Sequence, residues 1–297
     1  MVISFRSQAT VKHPHVFYSG VLLGGVLCFF LQLITTSTEN VEMIVSRSRN
    51  AKILDILGPD HLILHALGGI DGVDYTNSLE AFHHNHKKGG MFFEVDFRLT
   101  SDNELILLHD YNALQANLSS TRRIALKDFL HTKIKGTYQP ATFNDLVSLM
   151  VKYPDIFIIT DTKYTDKESI ELQFNAMMRI CQSQGATSVL ERFIIQIYHE
   201  EMLPIIERIY PFSFVIFTLY MRKNAADLHE FRRICKWSKA HNISAITMHH
   251  TWYTKERAEI LLKYQIPAYL FTVNDEQLAQ HYILSGAQKI YTDFLLR

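Results

Sequence analysis

The chain has 297 residues, 47% of them hydrophobic and 20% charged, an ordinary folded-protein composition with room for one large domain or two small ones. Lys+Arg and Asp+Glu each number 30, so no global field draws the protein to nucleic acid or to an acidic surface. Its 3 cysteines, Cys28, Cys181 and Cys235, have neither the paired spacing of a zinc site nor the density of a disulfide scaffold, and read as packing residues.

Residues 16–34, VFYSGVLLGGVLCFFLQLI, carry no charged side chain and are long enough to cross a hydrocarbon core of about 30 Å as a helix. A transmembrane anchor is expected there. Arg6, Lys12 and two histidines precede it without an acid, and Glu39 and Glu42 follow, so the positive-inside bias holds residues 1–15 in the cytoplasm and sends the remainder across. A cleaved signal peptide is the rival reading, but the apolar stretch exceeds a usual h-region and no A-x-A-like site follows it. The expectation is a single-pass membrane protein with an extracytoplasmic catalytic domain in contact with the bilayer only through this helix. Residues 35–60, with TTSTEN and SRSRN, read as a stalk, and residues 61–297 as the folded domain.

From there the chain alternates. Short apolar, β-branched or aromatic runs at LILHAL (62–67), MFFEVDF (91–97), IFIIT (156–160), FIIQIY (193–198), FSFVIFTL (212–219), ISAITM (243–248), AYLFTV (268–273) and KIYTD (289–293) are separated by stretches of helical period such as SLEAFHHNHKKG, TFNDLVSLMVKY and KESIELQFNAMMRICQSQG. Several of these helices begin at Ser, Thr or Asp and stop at Gly. Apolar strands alternating with helices call for a parallel sheet covered by helices, and about eight such units in series fit a closed (β/α)₈ barrel better than an open doubly wound sheet. HALGGIDG after the first strand lacks both the G-x-G-x-x-G and the G-K-[ST] patterns, which removes the main support for a nucleotide-binding alternative. ELILLHD (104–110) and the chain through residue 140 are too long for a plain loop and predict an excursion over the barrel mouth after strand two.

In such a barrel catalytic groups sit at the carboxyl ends of the strands. His65 ends strand one, Glu94 and Asp96 end strand two, Asp161 and Lys163 follow strand three, Gln196 and Tyr198 end strand four, His249 and His250 follow strand six, Asn274 follows strand seven and Asp293 ends strand eight. Glu94 and Asp96 are two residues apart and point the same way. Two buried carboxylates repel and cost several kcal/mol unless a cation or strong donors compensate. With Asp161 beside them, the simplest compensation is a metal, and oxygen-only ligands favour Mg²⁺ or Ca²⁺ over zinc. An internal ion network with Lys163 or Arg98 is the competing account of the same residues. His65 and His109 are candidate acid and base for phosphodiester cleavage beside a metal-held phosphate. His83, His84 and His86, next to Lys87 and Lys88, read as a solvated helix face.

The motifs HALGG, TNSLEAF, EVD, HDYN, DTK, TVN and YTD resemble, in the same order, the His-Arg-Gly, Glu-Asn-Thr with Ala-Phe, Glu-x-Asp, His-Asp, Glu-x-Lys, Thr-Val-Asn and Thr-Asp of the glycerophosphodiester phosphodiesterase family, related in architecture to phosphatidylinositol-specific phospholipase C. The resemblance covers about residues 61–295. It implies catalytic roles for His65 and His109, metal ligation by Glu94, Asp96 and Asp161, a phosphate-side role for Lys163, and substrate contacts for Asn77 and Asn274. It further implies a divalent cation gripping the phosphate oxygens while one histidine activates a nucleophile and the other protonates the leaving alkoxide. Three positions depart: the family's phosphate-clamping arginine is Ala66, with Lys163, Arg122 or Arg123 as candidate substitutes; the Glu of Glu-Asn-Thr is Thr76; and the third metal carboxylate is the shorter Asp161. HALGGIDG with YTNSLEAF looks like a bacterial branch in which these changes travel together.

The leading expectation is therefore metal-dependent hydrolysis of a glycerophosphodiester, a phospholipid headgroup or a phosphodiester-linked envelope polymer. A catalytically silent barrel binding an anionic sugar or lipid headgroup is the alternative, with a sphingomyelinase-like or phospholipase D-like lipid enzyme as a third reading.

Overall fold

A computed structural model describes residues 60–114 and 123–296. The expected cytoplasmic segment 1–15, the anchor 16–34 and all of the stalk 35–60 but Asp60 lie outside the described residues. Among the described residues no helix is long and apolar enough to cross a membrane.

The strands, in chain order, are β1 (Leu62–Leu64), β2 (Phe92–Leu99), β3 (Leu105–Leu107), β4 (Ala141–Thr142), β5 (Phe157–Asp161), β6 (Phe193–Ile197), β7 (Phe214–Thr218), β8 (Ala245–His249), β9 (Ala268–Phe271) and β10 (Lys289–Thr292). All but β3 and β4 pair in parallel, β1 to β2 to β5 and onward through β10, and β10 returns to β1 with Ile63 opposite Tyr291. The expected (β/α)₈ barrel is closed. Both faces of each strand are covered, which is why the strand sequences are continuous apolar runs rather than alternating ones.

A two-residue step along each barrel strand sorts the interior. Ile63, Phe92, Ile159, Ile194, Ile216, Ala245, Tyr269 and Tyr291 pack together as an apolar plug. Two residues further on, the same faces carry His65, Glu94, Asp161, Gln196, Thr218, Thr247, Phe271 and Asp293. Side-chain alternation in a strand thus lifts a ring of mostly polar groups above the plug, toward the carboxyl ends. Helices at 79–86, 143–152, 167–183, 202–209, 228–240, 255–264 and 276–284 form the outer layer. Side chains of Ser78, Thr142, Asp166, Asp227, Thr254 and Asp275 cap six of them by accepting a backbone N–H, as the sequence suggests. Met202–Ile209 has no side-chain cap and carries Pro204 in its first turn, where no helical N–H is lost.

Over its described residues, 104–114 and 123–140, the excursion after strand two forms regular structure. β2 outruns the barrel, so that Phe97, Arg98 and Leu99 pair antiparallel with Leu107, Ile106 and Leu105 of β3, and β3 pairs with β4. Ile106, Leu108, Tyr111, Leu114, Ile124, Phe129, Ile134 and Tyr138 give it a core of its own.

Candidate active site

The acidic groups come from adjacent strands. Asp96 and Asp161 are register partners across β2 and β5, and Glu94 lies two residues before Asp96 on the same face. Glu94, Asp96 and Asp161 are 2%, 0% and 6% exposed, and one carboxylate oxygen from each lies within 4.8 Å of the others.

Each carboxylate is held by specific donors. The Ala66 N–H donates to Glu94 Oε2 at 2.8 Å, a direction set by the left-handed backbone at Ala66 (φ 49°). Asn77 Nδ2 donates to Asp96 Oδ2 at 2.8 Å while its Oδ1 accepts from the Asp96 N–H at 3.0 Å. The Tyr198 hydroxyl donates to Asp161 Oδ1. Lys163 Nζ bridges the pair, 2.6 Å from Asp96 Oδ1 and in contact with Asp161 Oδ2. Ala66, Tyr75, Asn77 and Lys163 all have positive φ (49°, 49°, 47° and 62°), a concentration of backbone strain typical of functional sites.

The charges act on one another. Burial, followed by the Asp96 charge, pushes Glu94 up to about 8. Burial works the same way on Asp96, but Lys163, His109 and His65 outweigh it and hold the group down at about 2. Burial disfavours the Lys163 ammonium, yet Asp96, Asp161 and Glu94 raise its pKa well above the ordinary value. One lysine faces three carboxylates, and Glu94 Oε1 is buried without a hydrogen-bond partner. That orphaned oxygen, the all-oxygen donor set and the spacing fit a hard divalent cation such as Mg²⁺ or Ca²⁺.

The histidines flank this cluster. His65 begins a tight turn after β1, closed by the Gly68 N–H on its carbonyl at 2.7 Å. Gly68 has φ 83°, and a Cβ there would lie 2.4 Å from Asn85 Nδ2, the amide that ties down the carbonyls of Leu67 and Gly69. His65 Nδ1 is 2.9 Å from Asp293 Oδ1, and Nε2 is 3.7 Å from Glu94 Oε2. Burial pulls the imidazole pKa down, but Glu94, Asp293 and Asp96 outweigh it and push the group up to about 9. His109 arrives from the excursion. Arg98 grips its backbone carbonyl at 3.0 and 2.9 Å, and its Nδ1 is 2.9 Å from Asp110 Oδ2. In both residues a carboxylate engages Nδ1, which leaves Nε2 for chemistry. The Tyr75 ring stands edge-on between them, 4.6 Å from His65 and 4.7 Å from His109 by ring centroids.

The cleft is lined by His65, Glu94, His109, Asp161 and Lys163; Asp96 lies beneath it, bonded to Lys163. Asn77 and Asn274 hold carboxylates: Asn77 binds Asp96, and Asn274 Nδ2 donates to Asp293 Oδ2 at 2.7 Å. His249 and His250 stand apart, bonded to Thr251 and Tyr282. Lys163 is the one Lys or Arg among the described residues lining the part of the cleft that holds the carboxylates; Arg123 lies over the Tyr164 ring at 5.0 Å, and Arg122 is outside the described residues. Asp293, Tyr198 and Tyr75 complete the site. Asp293 and Tyr198 were visible as polar strand ends, without their partners. Tyr75 carries no periodic or motif signal, because a left-handed turn rather than a strand aims it.

The model of the glycerophosphoryl diester phosphodiesterase family matches residues 71–296. Among solved structures, a phosphodiesterase of Oleispira antarctica in complex with the product sn-glycerol-3-phosphate is similar, with 13% identity, 79% of this chain and 93% of that chain covered and a TM-score of 0.63. A glycerophosphodiester phosphodiesterase of Parabacteroides distasonis has 16% identity, coverage of 78% and 92% and a TM-score of 0.62. No curated protein matches. The likeness to solved structures is one of fold; the family match spans three quarters of the chain and both halves of the barrel, and by it this protein belongs to the glycerophosphoryl diester phosphodiesterase family of phosphoric diester hydrolases.

Proposed function

We propose that the protein hydrolyses a glycerophosphodiester with Glu94, Asp96 and Asp161 holding a divalent cation and with His65 and His109 as the acid–base pair. The observation that carries this reading is that two histidines, each engaged at Nδ1 by an aspartate, flank three buried carboxylates at one barrel mouth. A bound Mg²⁺ or Ca²⁺ supplies Lewis-acid polarisation of the phosphoryl oxygens. Lys163 contributes the remaining positive charge on the substrate side, in place of the arginine that Ala66 lacks. A cation held by Glu94 and Asp96 would offset the charges that favour the His65 imidazolium, so that His65, buried and steered by Asp293, can accept the proton of the attacking hydroxyl as its oxygen bonds to phosphorus. His109, half-exposed beside Asp110, gives its proton to the alkoxide released when the P–O bond breaks. Asn77 and Asn274 position Asp96 and Asp293.

The order of motifs beginning with HALGGIDG is the basis for placing the chain in a bacterial branch of the family. The apolar segment 16–34 is proposed as an uncleaved anchor that carries the barrel outside the cytoplasm, near phospholipid headgroups or envelope polymers. A reporter fused after residue 45 that reads out in the cytoplasm would defeat this topology.

The test of the chemistry is turnover of a bis-aryl phosphodiester and a panel of glycerophosphodiesters by the full chain with Mg²⁺, Ca²⁺ or EDTA. Hydrolysis that needs the cation and falls about 10²–10⁴-fold in His109→Ala is expected from loss of a positioned acid. A folded protein inert with every metal would leave the silent anion-binding barrel as the better account.

A further inference from the structure

The cleft has a second lobe. The inner one, about 200 Å³, contains the carboxylates and Lys163. Tyr75 and His109 form its outer wall and at the same time the inner wall of a larger lobe of about 450 Å³, completed by Asp110, Asn112 and Lys135. Except for Tyr75, this outer lobe is built by the excursion after β2. Its volume lies in the range of small-ligand pockets. On the reading proposed above, His109 protonates the departing alkoxide, so the alcohol leaves into the space on the far side of His109.

The charges around that space are already matched. Lys135 Nζ is 2.8 Å from Asp74 Oδ1. Asp110 takes His109 on Oδ2 at 2.9 Å and the Asn112 N–H on Oδ1 at 2.8 Å. Lys135 Nζ also stands 5.9 Å from the centroid of the Tyr75 ring, so the aromatic wall that would take a quaternary ammonium by cation–π attraction already has a cation nearby. Among the described residues lining the lobe a choline or ethanolamine group would find no unpaired carboxylate, and it would face the Lys135 ammonium. An acidic alcohol would have to displace Asp74 from Lys135. An alcohol bearing only hydroxyl groups can hydrogen-bond the Asn112 amide and the rims of both ion pairs without disturbing either.

From this we propose that the outer lobe is the leaving-group site and that it selects uncharged, hydroxyl-rich alcohols, a polyol or a sugar-type ring, over cationic amino alcohols. Lys135 and Asp74 are the specificity-determining pair. The inference rests on the hydrolase reading for its chemistry, but the selection it describes is one of binding.

The full chain loaded with Mg²⁺ or Ca²⁺ is assayed for kcat/KM on glycerophosphoglycerol and glycerophosphoinositol against glycerophosphocholine and glycerophosphoethanolamine. The neutral leaving groups are expected to be favoured by about tenfold or more, the scale on which a mismatched pocket charge discriminates. Lys135→Met uncovers Asp74 and the Tyr75 ring and narrows the ratio at least threefold; Asp74→Asn leaves the ammonium unopposed and widens it. Calorimetric binding of the same intact diesters to His65→Ala reads the selection without turnover and is expected to keep the same order. Equal handling of both classes by the unmutated chain, or shifts of the same sign in the two pocket variants, overturns the proposal. Selective binding without any hydrolysis would support it and refute the hydrolase reading alone.

Discussion

Lys163 makes three buried acids tolerable in one barrel mouth, and it does so by bridging two of them, Asp96 and Asp161. Removing one partner from a buried ion pair leaves uncompensated charge and costs about 3–5 kcal/mol. A divalent cation on the same carboxylates supplies the missing charge, and a ligand that binds only the folded state stabilises it further. Lys163→Met is therefore expected to melt well below the parent protein in EDTA and to recover most of that loss in saturating Mg²⁺ or Ca²⁺, by thermal denaturation. A variant equally destabilised with and without cation would show that the triad does not hold one. The Asp293–His65 contact makes a separate prediction: Asp293→Asn keeps the shape but loses the charge that fixes the imidazole, so kcat should fall by roughly 10–100-fold, as when an orienting partner is lost, with KM little changed. A fall confined to KM would assign Asp293 to substrate binding. His65, Glu94, Asp96 and His109 were legible because strand alternation and motif order place them. The Asp293 partnership joins residues 228 apart, a distance bridged only by closing the barrel.

At the scale of elements, the barrel strands were readable and the excursion was readable only in outline. Parallel strands buried on both faces appear as apolar runs, and that signal survives in strands of three to five residues flanked by helices. β4, with 2 residues, is too short for any period to emerge, and β3, as long as β1, is not followed directly by an outer-layer helix, so it falls outside the strand–helix alternation that marks the barrel strands. What holds them is the pairing of Phe97–Leu99 beyond the barrel, the packing of Leu105, Leu107 and Ala141 into the main core, and Ile106 in the separate cluster around Phe129. Because that cluster is separate, its loss should be local. Phe129 is fully buried, and Phe129→Ala forfeits about 3–5 kcal/mol of packing. The expected result is loss of amide-exchange protection across residues 100–114 and 123–140, with the barrel helices unchanged by circular dichroism and catalysis abolished because His109 rides on this segment. Unfolding of the whole domain by that single substitution would mean that the excursion is integral to the barrel rather than mounted on it.

For the whole molecule, closure is the property that matters, because a barrel has no edge strand to peel away: β1 is held by β10 on one side and β2 on the other. Cys181 on the helix Lys167–Ser183 and Cys235 on the helix Leu228–Ala240 sample two sectors of the helical layer, and both are fully buried. Burial pushes each thiol up to about 12, against about 8.5 for a thiol in water. At pH 8 the native thiols are therefore protonated as well as covered, and alkylation has to wait for an opening event that exposes both. If opening is a single cooperative step, then in a Cys28→Ser background Cys181 and Cys235 should be labelled at the same rate, that rate should rise equally with urea, and between pH 7 and 9 it should follow the titration of an unfolded thiol rather than a native one. Should Cys235 react ten or more times faster than Cys181 without denaturant, the second half of the barrel would open by itself. His65 and Asp293, which sit on the two strands that close the seam, would then be separated in the open form, and the site would depend on a closure that is only transient.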